Sequence, residues 1–336
     1  MLIFNYRKLL NPSFLYYICM LSVFPDNNKF KLFGNAKSFI KFKKQKSMHL
    51  FDYAVNSTEK KGYLVLIGGA EDRKNEKIIL KKVVSLNNAK NIVIIPSASN
   101  YPKGLAEDYF YAFSDLGVEN SYILDIRDKS DTNNVDFLEK IQKADLIFFT
   151  GGDQSRLVNI FLNTFMLEKI KERHLKNGVT IAGTSAGAAA ACDPIIFDGD
   201  SGGLRKGTIS FSEGFGFIKN ITIDTHFVNR GRLGRLTQFL SSGRSTKGIG
   251  IGEDTALIID SNDISEVIGS EMVTVVNTGD VSYSNYIQLN ENDPIVINDI
   301  RIGFLQSGSK FDLKDWKVVS SNVINPSNTE TVRLYN

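Results

Sequence analysis

The chain has little of what metal centres and disulfide frameworks need. Its 336 residues include two cysteines, Cys19 and Cys192, and three histidines, His49, His174 and His226. Two thiols cannot build a disulfide framework or a four-thiolate zinc site. Three scattered imidazoles leave little room for a His-rich centre, so no metal is expected. Any catalytic imidazole must be one of those three. Proline is scarce, at seven residues, and no Pro- or Ser-rich linker follows residue 60. The main apolar run of the head, Phe14–Phe24, is eleven residues long. That is too short to cross a bilayer as a helix, so no membrane span is expected. What remains is ordinary: 42% hydrophobic, 23% charged, 27 glycines. Such values exclude a collagen-like, coiled-coil or wholly disordered chain.

The net charge of +3 is unevenly spread. Residues 1–47 hold nine Lys and Arg against one acid, Asp26, which leaves the rest mildly acidic at −5. A dedicated nucleic-acid binder is therefore not expected. The basic head, taken as residues 1–61, reads as a solvated, poorly ordered tail or as a stretch upstream of a working start at Met48. Arg7 and Lys8 before an apolar run suit a signal peptide, but Pro25-Asp26-Asn27-Asn28 offers no small-residue cleavage site. A cytoplasmic location is expected, with export as the alternative.

Residues 62–325 read as one α/β domain, followed by a tail over 326–336. Tyr63–Ile67, Asn91–Ile95, Ser121–Asp125, Asp145–Thr150 and Val179–Ala182 predict strands. Glu76–Leu86, Ala106–Leu116, Val135–Ala144, Gln154–Arg173 and a helix starting at Ala186 alternate with them. Continuous apolar strands alternating with helices predict a three-layer sandwich around a mostly parallel sheet. Ligands bind such sheets outside the carboxyl ends of the strands, where the glycine turns at 68–69, 151–152 and 183 fall. Beyond residue 207 the strand-like pieces Ile221–Ile223, Ala256–Ile259, Met272–Val276, Ile295–Ile297 and Trp316–Val319 read as additions to the same domain.

The sharpest local signal is Gly183-Thr184-Ser185-Ala186-Gly187. It fits a G-x-S-x-G nucleophile elbow, with a strand before and an alanine-rich helix after. A tight turn lifts the serine oxygen to the strand end, and small neighbours admit substrate. A serine needs a base. His174 lies on a helix beside Glu172 and Arg173 and reads as a solvated surface residue. His49 belongs to the head. His226, after a strand and before Arg230-Gly-Arg-Leu-Gly-Arg235, is the remaining candidate. The orienting acid stays open among Asp198, Asp200, Asp224 and Glu253, because a triad is defined by geometry and not by chain order. Gly151 and Gly152 suit an oxyanion pocket, since glycine backbone approaches a reacting carbonyl closely. Gly68-Gly-Ala-Glu-Asp72 matches no phosphate-binding loop closely.

Together these segments resemble the cyanophycinase and dipeptidase E family of serine peptidases. The resemblance rests on Leu66–Asp72, Ile94–Ala98, Phe149–Gln154, Gly183–Gly187, Ile223–Phe227, Arg230–Arg235, Gly252–Ala256 and Ser309–Leu313, in the family's order. It leans toward the cyanophycinase branch. It implies a fold like that of class I glutamine amidotransferases, with serine in place of cysteine, and a Ser-His-Glu triad of Ser185, His226 and Glu253. It implies oxyanion contacts near Gly152 and Ala186, and a substrate pocket at Gln154, Asp224, Thr225, Arg230, Arg232 and Arg235. Thr225 stands where the family's pattern has glutamine, which removes a long amide from the pocket. Asp224 could then pair with a substrate guanidinium. The implied substrate is cyanophycin, a polyaspartate with arginine on each β-carboxyl, released as dipeptides without a cofactor. An aspartyl dipeptidase, another acidic-peptide hydrolase and a non-catalytic peptide-binding member are the alternatives. A homodimer is a further expectation.

Overall fold

Five short strands build the parallel half of the main sheet: β1 (Leu64–Ile67), β2 (Asn91–Ile95), β3 (Asn120–Ile123), β4 (Leu146–Phe149) and β5 (Thr180–Thr184). A computed structural model of the chain describes residues 60–199 and 204–321. The readings made for the head and the C-terminal tail therefore lie outside the described residues, except at residues 60 and 61. Those two lysines are tied to the body. Lys60 bridges to Asn177 and the Lys61 ammonium lies 2.6 Å from Asp263.

Side-chain alternation decides the layers. Leu64, Leu66, Val93, Ile95, Ile147 and Phe149 face one way, into a core shared with helices α3 (Val135–Lys143), α4 (Gln154–Phe161), α5 (Phe165–Asn177) and α6 (Ala186–Ala190). Val65, Ile67, Ile92, Ile94, Leu146 and Phe148 face the other way, against α1 (Ile78–Ser85) and α2 (Pro102–Asp115). Both faces of the sheet are covered, which is why the strands read as unbroken apolar runs. The expected three-layer α/β architecture is present.

After β5 come two short pairings, β6 (Cys192–Asp193) with β9 (Ile218–Lys219) and β7 (Ile195–Gly199) with β8 (Ile209–Ser212). β10 (Ile221–Thr225), β11 (Lys247–Ile251), β14 (Val273–Asn277) and β17 (Arg301–Leu305) then form a second sheet. Beyond it lies α7 (Leu233–Ser241), whose Leu236, Phe239 and Leu240 pack with Phe227 and Val276. β12 (Thr255–Ile259), β13 (Ile264–Gly269), β18 (Lys310–Asp312) and β19 (Lys317–Ser320) extend the first sheet beside β1, all antiparallel. β15 (Tyr283–Ser284) pairs with β16 (Ile297–Asn298). The later strand-like pieces are thus divided between a second sheet, an antiparallel extension of the first and, for Ile295–Ile297, the separate β15–β16 pair.

One predicted helix is two. The apolar spacing of Gln154–Arg173 runs on, but the helix stops at Phe161 and restarts at Phe165. Asn163 sits at φ 58°, and the Thr164 hydroxyl accepts the Leu167 N–H as an N-cap. Among the described residues no helix is long and apolar enough to cross a membrane.

Candidate active site

The parallel strands β1 and β5 lie side by side, and the chain turns sharply at the end of β5. Ser185 adopts φ 51° and ψ −108°, a strained setting for a residue with a Cβ. Its N–H still reaches the Ile67 carbonyl at 2.9 Å, so the strand ladder holds the turn in place. The small neighbours are sterically required. A Cβ on Gly183 would lie 2.4 Å from the Gly187 carbonyl carbon, and one on Gly187 would lie 2.4 Å from the Phe149 oxygen. Ala186 is the buried first residue of α6.

His226 follows β10, at the matching edge of the second sheet. Its N–H donates to the Gly68 carbonyl at 2.9 Å and its φ is 48°. Gly69 explains itself here. A Cβ at that position would sit 2.3 Å from His226 Cε1, so the missing side chain makes room for the imidazole. Glu253 comes two residues after the neighbouring strand β11.

These elements bring three side chains into a line. Ser185 Oγ is 2.8 Å from His226 Nε2, and His226 Nδ1 is 2.6 Å from Glu253 Oε1. With Glu253 ionised, Nδ1 carries the proton and Nε2 accepts from the serine hydroxyl. Burial pulls the His226 pKa below its ordinary value. The Glu253 bond opposes that shift, and the charges of Arg230 and Arg232 add to it. The ring is therefore neutral and able to take a proton near neutral pH. Gly151 borders Ser185, since a Cβ there would lie 3.4 Å from Ser185 Cβ. Gly152, at φ 141°, packs against the Ala98 carbonyl.

Residues 64–267 match Peptidase family S51. The chain belongs to that family. It is a serine-type peptidase similar to cyanophycinases. The cyanophycinase of Geminocystis herdmanii is 35% identical over 254 residues, covering 75% of this chain and 93% of that protein. That of Trichormus variabilis is 33% identical, covering 74% and 85%. That of Synechococcus elongatus is 32% identical, covering 80% and 84%. Among solved structures, a peptidase from an acI-B1 Actinobacterium shares the fold, with a TM-score of 0.58, 23% identity and coverage of 76% of this chain and 98% of that one.

The expected pocket residues divide by environment. Asp224, on β10, is only 2% exposed. Arg235 Nε donates to its Oδ2 at 3.0 Å, and a second Arg235 nitrogen donates to Oδ1. Arg232 also donates to Oδ1, at 3.2 Å, and to the Thr225 carbonyl at 2.7 Å. The Asp224 carboxylate, expected to pair with a substrate guanidinium, already holds two arginines of this chain. Thr225 and Arg235 are buried, Arg232 is half-buried and Arg230 is exposed. The Gln154 amide opens α4 and donates to the Ile196 and Phe197 carbonyls at 3.0 and 3.3 Å. Asp198 is exposed on β7, and Asp200 and His49 lie outside the described residues.

His174 is corrected. It is 1% exposed, not solvated, because the last turn of α5 packs under the Lys60–Gly62 segment. Cys192 is fully buried and hydrogen-bonded, and burial pushes its thiol pKa up to about 12. It is no nucleophile at neutral pH. Sequence reasoning missed Glu71. That side chain is 4% exposed and accepts the Thr184 hydroxyl at 2.6 Å and the Tyr109 hydroxyl, directly behind the elbow. Its place inside Gly68–Asp72 was visible, but nothing in the residue order tied it to Thr184, 113 positions away. Among the described residues no group of His, Cys, Asp and Glu could hold a metal ion.

Proposed function

We propose that this peptidase hydrolyses cyanophycin, or closely related β-aspartyl-arginine material, from a chain end and releases β-Asp-Arg dipeptides. The single observation that carries the reading is the hydrogen-bonded line from Ser185 through His226 to Glu253. Ser185 is the nucleophile, His226 the general base and then general acid, and Glu253 the group that orients the ring and steadies its charged form.

The Ser185 oxygen attacks the scissile carbonyl as its proton passes to His226 Nε2. The resulting oxyanion is held by backbone N–H groups near Gly152 and Ala186. His226 then returns the proton to the leaving amine, and an acyl-enzyme forms on Ser185. Water deprotonated by His226 attacks that ester, and the proton goes back to the serine. No cofactor enters these steps. The substrate is rich in carboxylates, and Arg230 and Arg232 flank the base closely enough to depress its pKa. Guanidinium groups suit bidentate carboxylate recognition. The relatives named cyanophycinase support the same substrate class.

The test is to incubate purified protein with cyanophycin and identify products by mass spectrometry, alongside labelling with a fluorophosphonate probe. β-Asp-Arg release with the label on Ser185 is expected. Labelling without dipeptide release, with turnover of aspartyl dipeptides instead, would overturn the substrate assignment. An unlabelled Ser185 in folded protein would overturn the mechanism.

A further inference from the structure

The acid that faces His226 stands on a turn, and the turn has its own supports. Glu253 leaves β11 through Gly252, and Asp254 follows in the left-handed region at φ 44°. Such a turn does not by itself fix a glutamate with three rotatable side-chain bonds. A second carboxylate grips the backbone. The Glu253 N–H donates to Glu271 Oε2 at 3.0 Å. The other Glu271 oxygen accepts from the Asn229 amide at 2.8 Å, and Asn229 Oδ1 faces the Glu253 N–H at 3.3 Å. The Glu271 N–H donates to the Thr255 hydroxyl at 2.8 Å, and that hydroxyl donates to the Glu253 carbonyl at 3.0 Å. Gly252 leaves the space, since a Cβ there would lie 2.4 Å from Glu271 Oε2.

Asn229 makes this more than a local brace. It lies three residues beyond His226, in the turn closed by the Arg230 N–H on the His226 carbonyl at 3.0 Å. Glu271 therefore bonds at once to the loop that carries the base and to the backbone of the acid. A carboxylate suits the task. It is acceptor-only and serves two donors with two oxygens, and charge-assisted bonds of this kind are the stronger ones. A glutamine offers one acceptor oxygen and would keep only one of the two bonds unless the Asn229 amide reversed.

We propose that Glu271, bridged by Asn229, is a positioning residue that holds the Glu253 carboxylate in register with the His226 ring. It rests on the Ser185–His226–Glu253 reading and acts through Glu253, not through substrate. Misplacing a group by about 1 Å can cost about a hundredfold in rate. Loss of the Glu271 grip should therefore lower kcat while leaving substrate binding alone.

The experiment measures kcat and KM on cyanophycin for the full chain and for Glu271→Ala, Glu271→Gln, Asn229→Ala, Glu253→Ala and the Glu253→Ala/Glu271→Ala double variant. Glu271→Ala and Asn229→Ala should lower kcat about ten- to a hundredfold, with KM within about twofold, and Glu271→Gln should fall between them and the parent. In the Glu253→Ala background the added Glu271→Ala change should alter kcat by less than about twofold, because its target is gone. A raised KM with unchanged kcat would overturn the proposal in favour of a substrate contact. Full additivity in the double variant would overturn it in favour of a role independent of Glu253. Should Glu271→Ala fold poorly, Asn229→Ala carries the same expectation, and parental kcat there would sink the idea. Glu253→Ala with parental turnover would be a different failure, that of the triad itself.

Discussion

The two described imidazoles are both drawn away from water, and the regions around them differ in what waits at each ring nitrogen. His174, near the end of α5, has Nδ1 3.1 Å from the Val179 carbonyl, and its Nε2 is buried with no partner. The ring stands nearly perpendicular to that of Phe217, with centroids 5.7 Å apart. Burial drives its pKa from 6.5 to about 4. His226 is also pulled down by burial, but Glu253 opposes the shift and Ser185 occupies the other nitrogen. The comparison teaches that desolvation alone makes a silent histidine. A base also needs a proton to collect and a carboxylate to steady the charge it acquires.

The hardest blow to the His226 region is removal of the proton donor. Ser185→Ala is expected to lower kcat by about 10⁶, as in well-studied serine peptidase triads. Folding should survive, because the side chain is small and alanine already surrounds it at 186 and 188–191. Stopped assays on purified protein check this, and turnover near the parent would end the serine mechanism. Glu253→Gln comes next, at about 10⁴ in kcat, because a neutral amide no longer steadies the imidazolium. The Glu253 bond is what raises the His226 pKa against burial. Its loss should move the acid limb of the kcat/KM profile to lower pH, since the base then stays neutral further down. A limb that stays put would mean that another acid faces the ring.

How much of this was legible can be read from the same residues. Ser185 was visible because the turn, the strand before it and the helix after it are contiguous in sequence. His226 emerged by elimination. Glu253 did not emerge from residue types alone, and only the family resemblance singled it out. Its approach to the ring depends on β10 and β11 pairing in parallel and on Gly69 clearing space from another sheet. The stretch Lys247-Gly-Ile-Gly-Ile251 reads as a glycine-rich strand end, and in β11 a Cβ on Gly248 would meet Leu236 at 2.8 Å and one on Gly250 would meet the Phe227 ring at 2.2 Å. Those glycines record helix and ring packing, not a turn. The Asp224–Arg235 pairing was invisible for a similar reason: the partners are 11 residues apart, across a loop and the start of α7.

That pairing supplies the next test, now of stability. Asp224→Asn keeps the shape of the side chain but removes the charge that buried Arg235 faces. Breaking one partner of a buried pair costs about 3–5 kcal/mol. Urea unfolding should report that loss, while the folded protein retains kcat within about tenfold, because the change touches no reacting atom. An unchanged midpoint with a raised KM for arginine-bearing substrates would return Asp224 to the substrate pocket.

The smallest effect sharpens the comparison from the silent side. An ordinary histidine in the unfolded chain titrates near 6.5, whereas His174 in the fold titrates at about 4. Between those values the unfolded chain binds a proton that the folded chain does not. The shift therefore favours the fold fully above pH 6.5, and that contribution drains away as pH falls toward 4. Its size is about 3 kcal/mol. The physical cause is visible: a proton on Nε2 would sit buried with nothing to accept it. His174→Gln removes the titration while keeping a donor for the Val179 carbonyl. The variant should unfold more easily than the parent at pH 7.5, because its amide fills the ring's space poorly. That gap should narrow by most of the 3 kcal/mol as the pH approaches 4, since only the parent loses stability through this group. Comparing the two proteins cancels the contribution of His226, which burial also pulls down. Turnover at pH 7.5 should stay close to the parent, in contrast with any change at His226. A gap that holds constant across the range would mean that His174 carries its proton inside the fold, and the contrast between the two imidazoles would collapse.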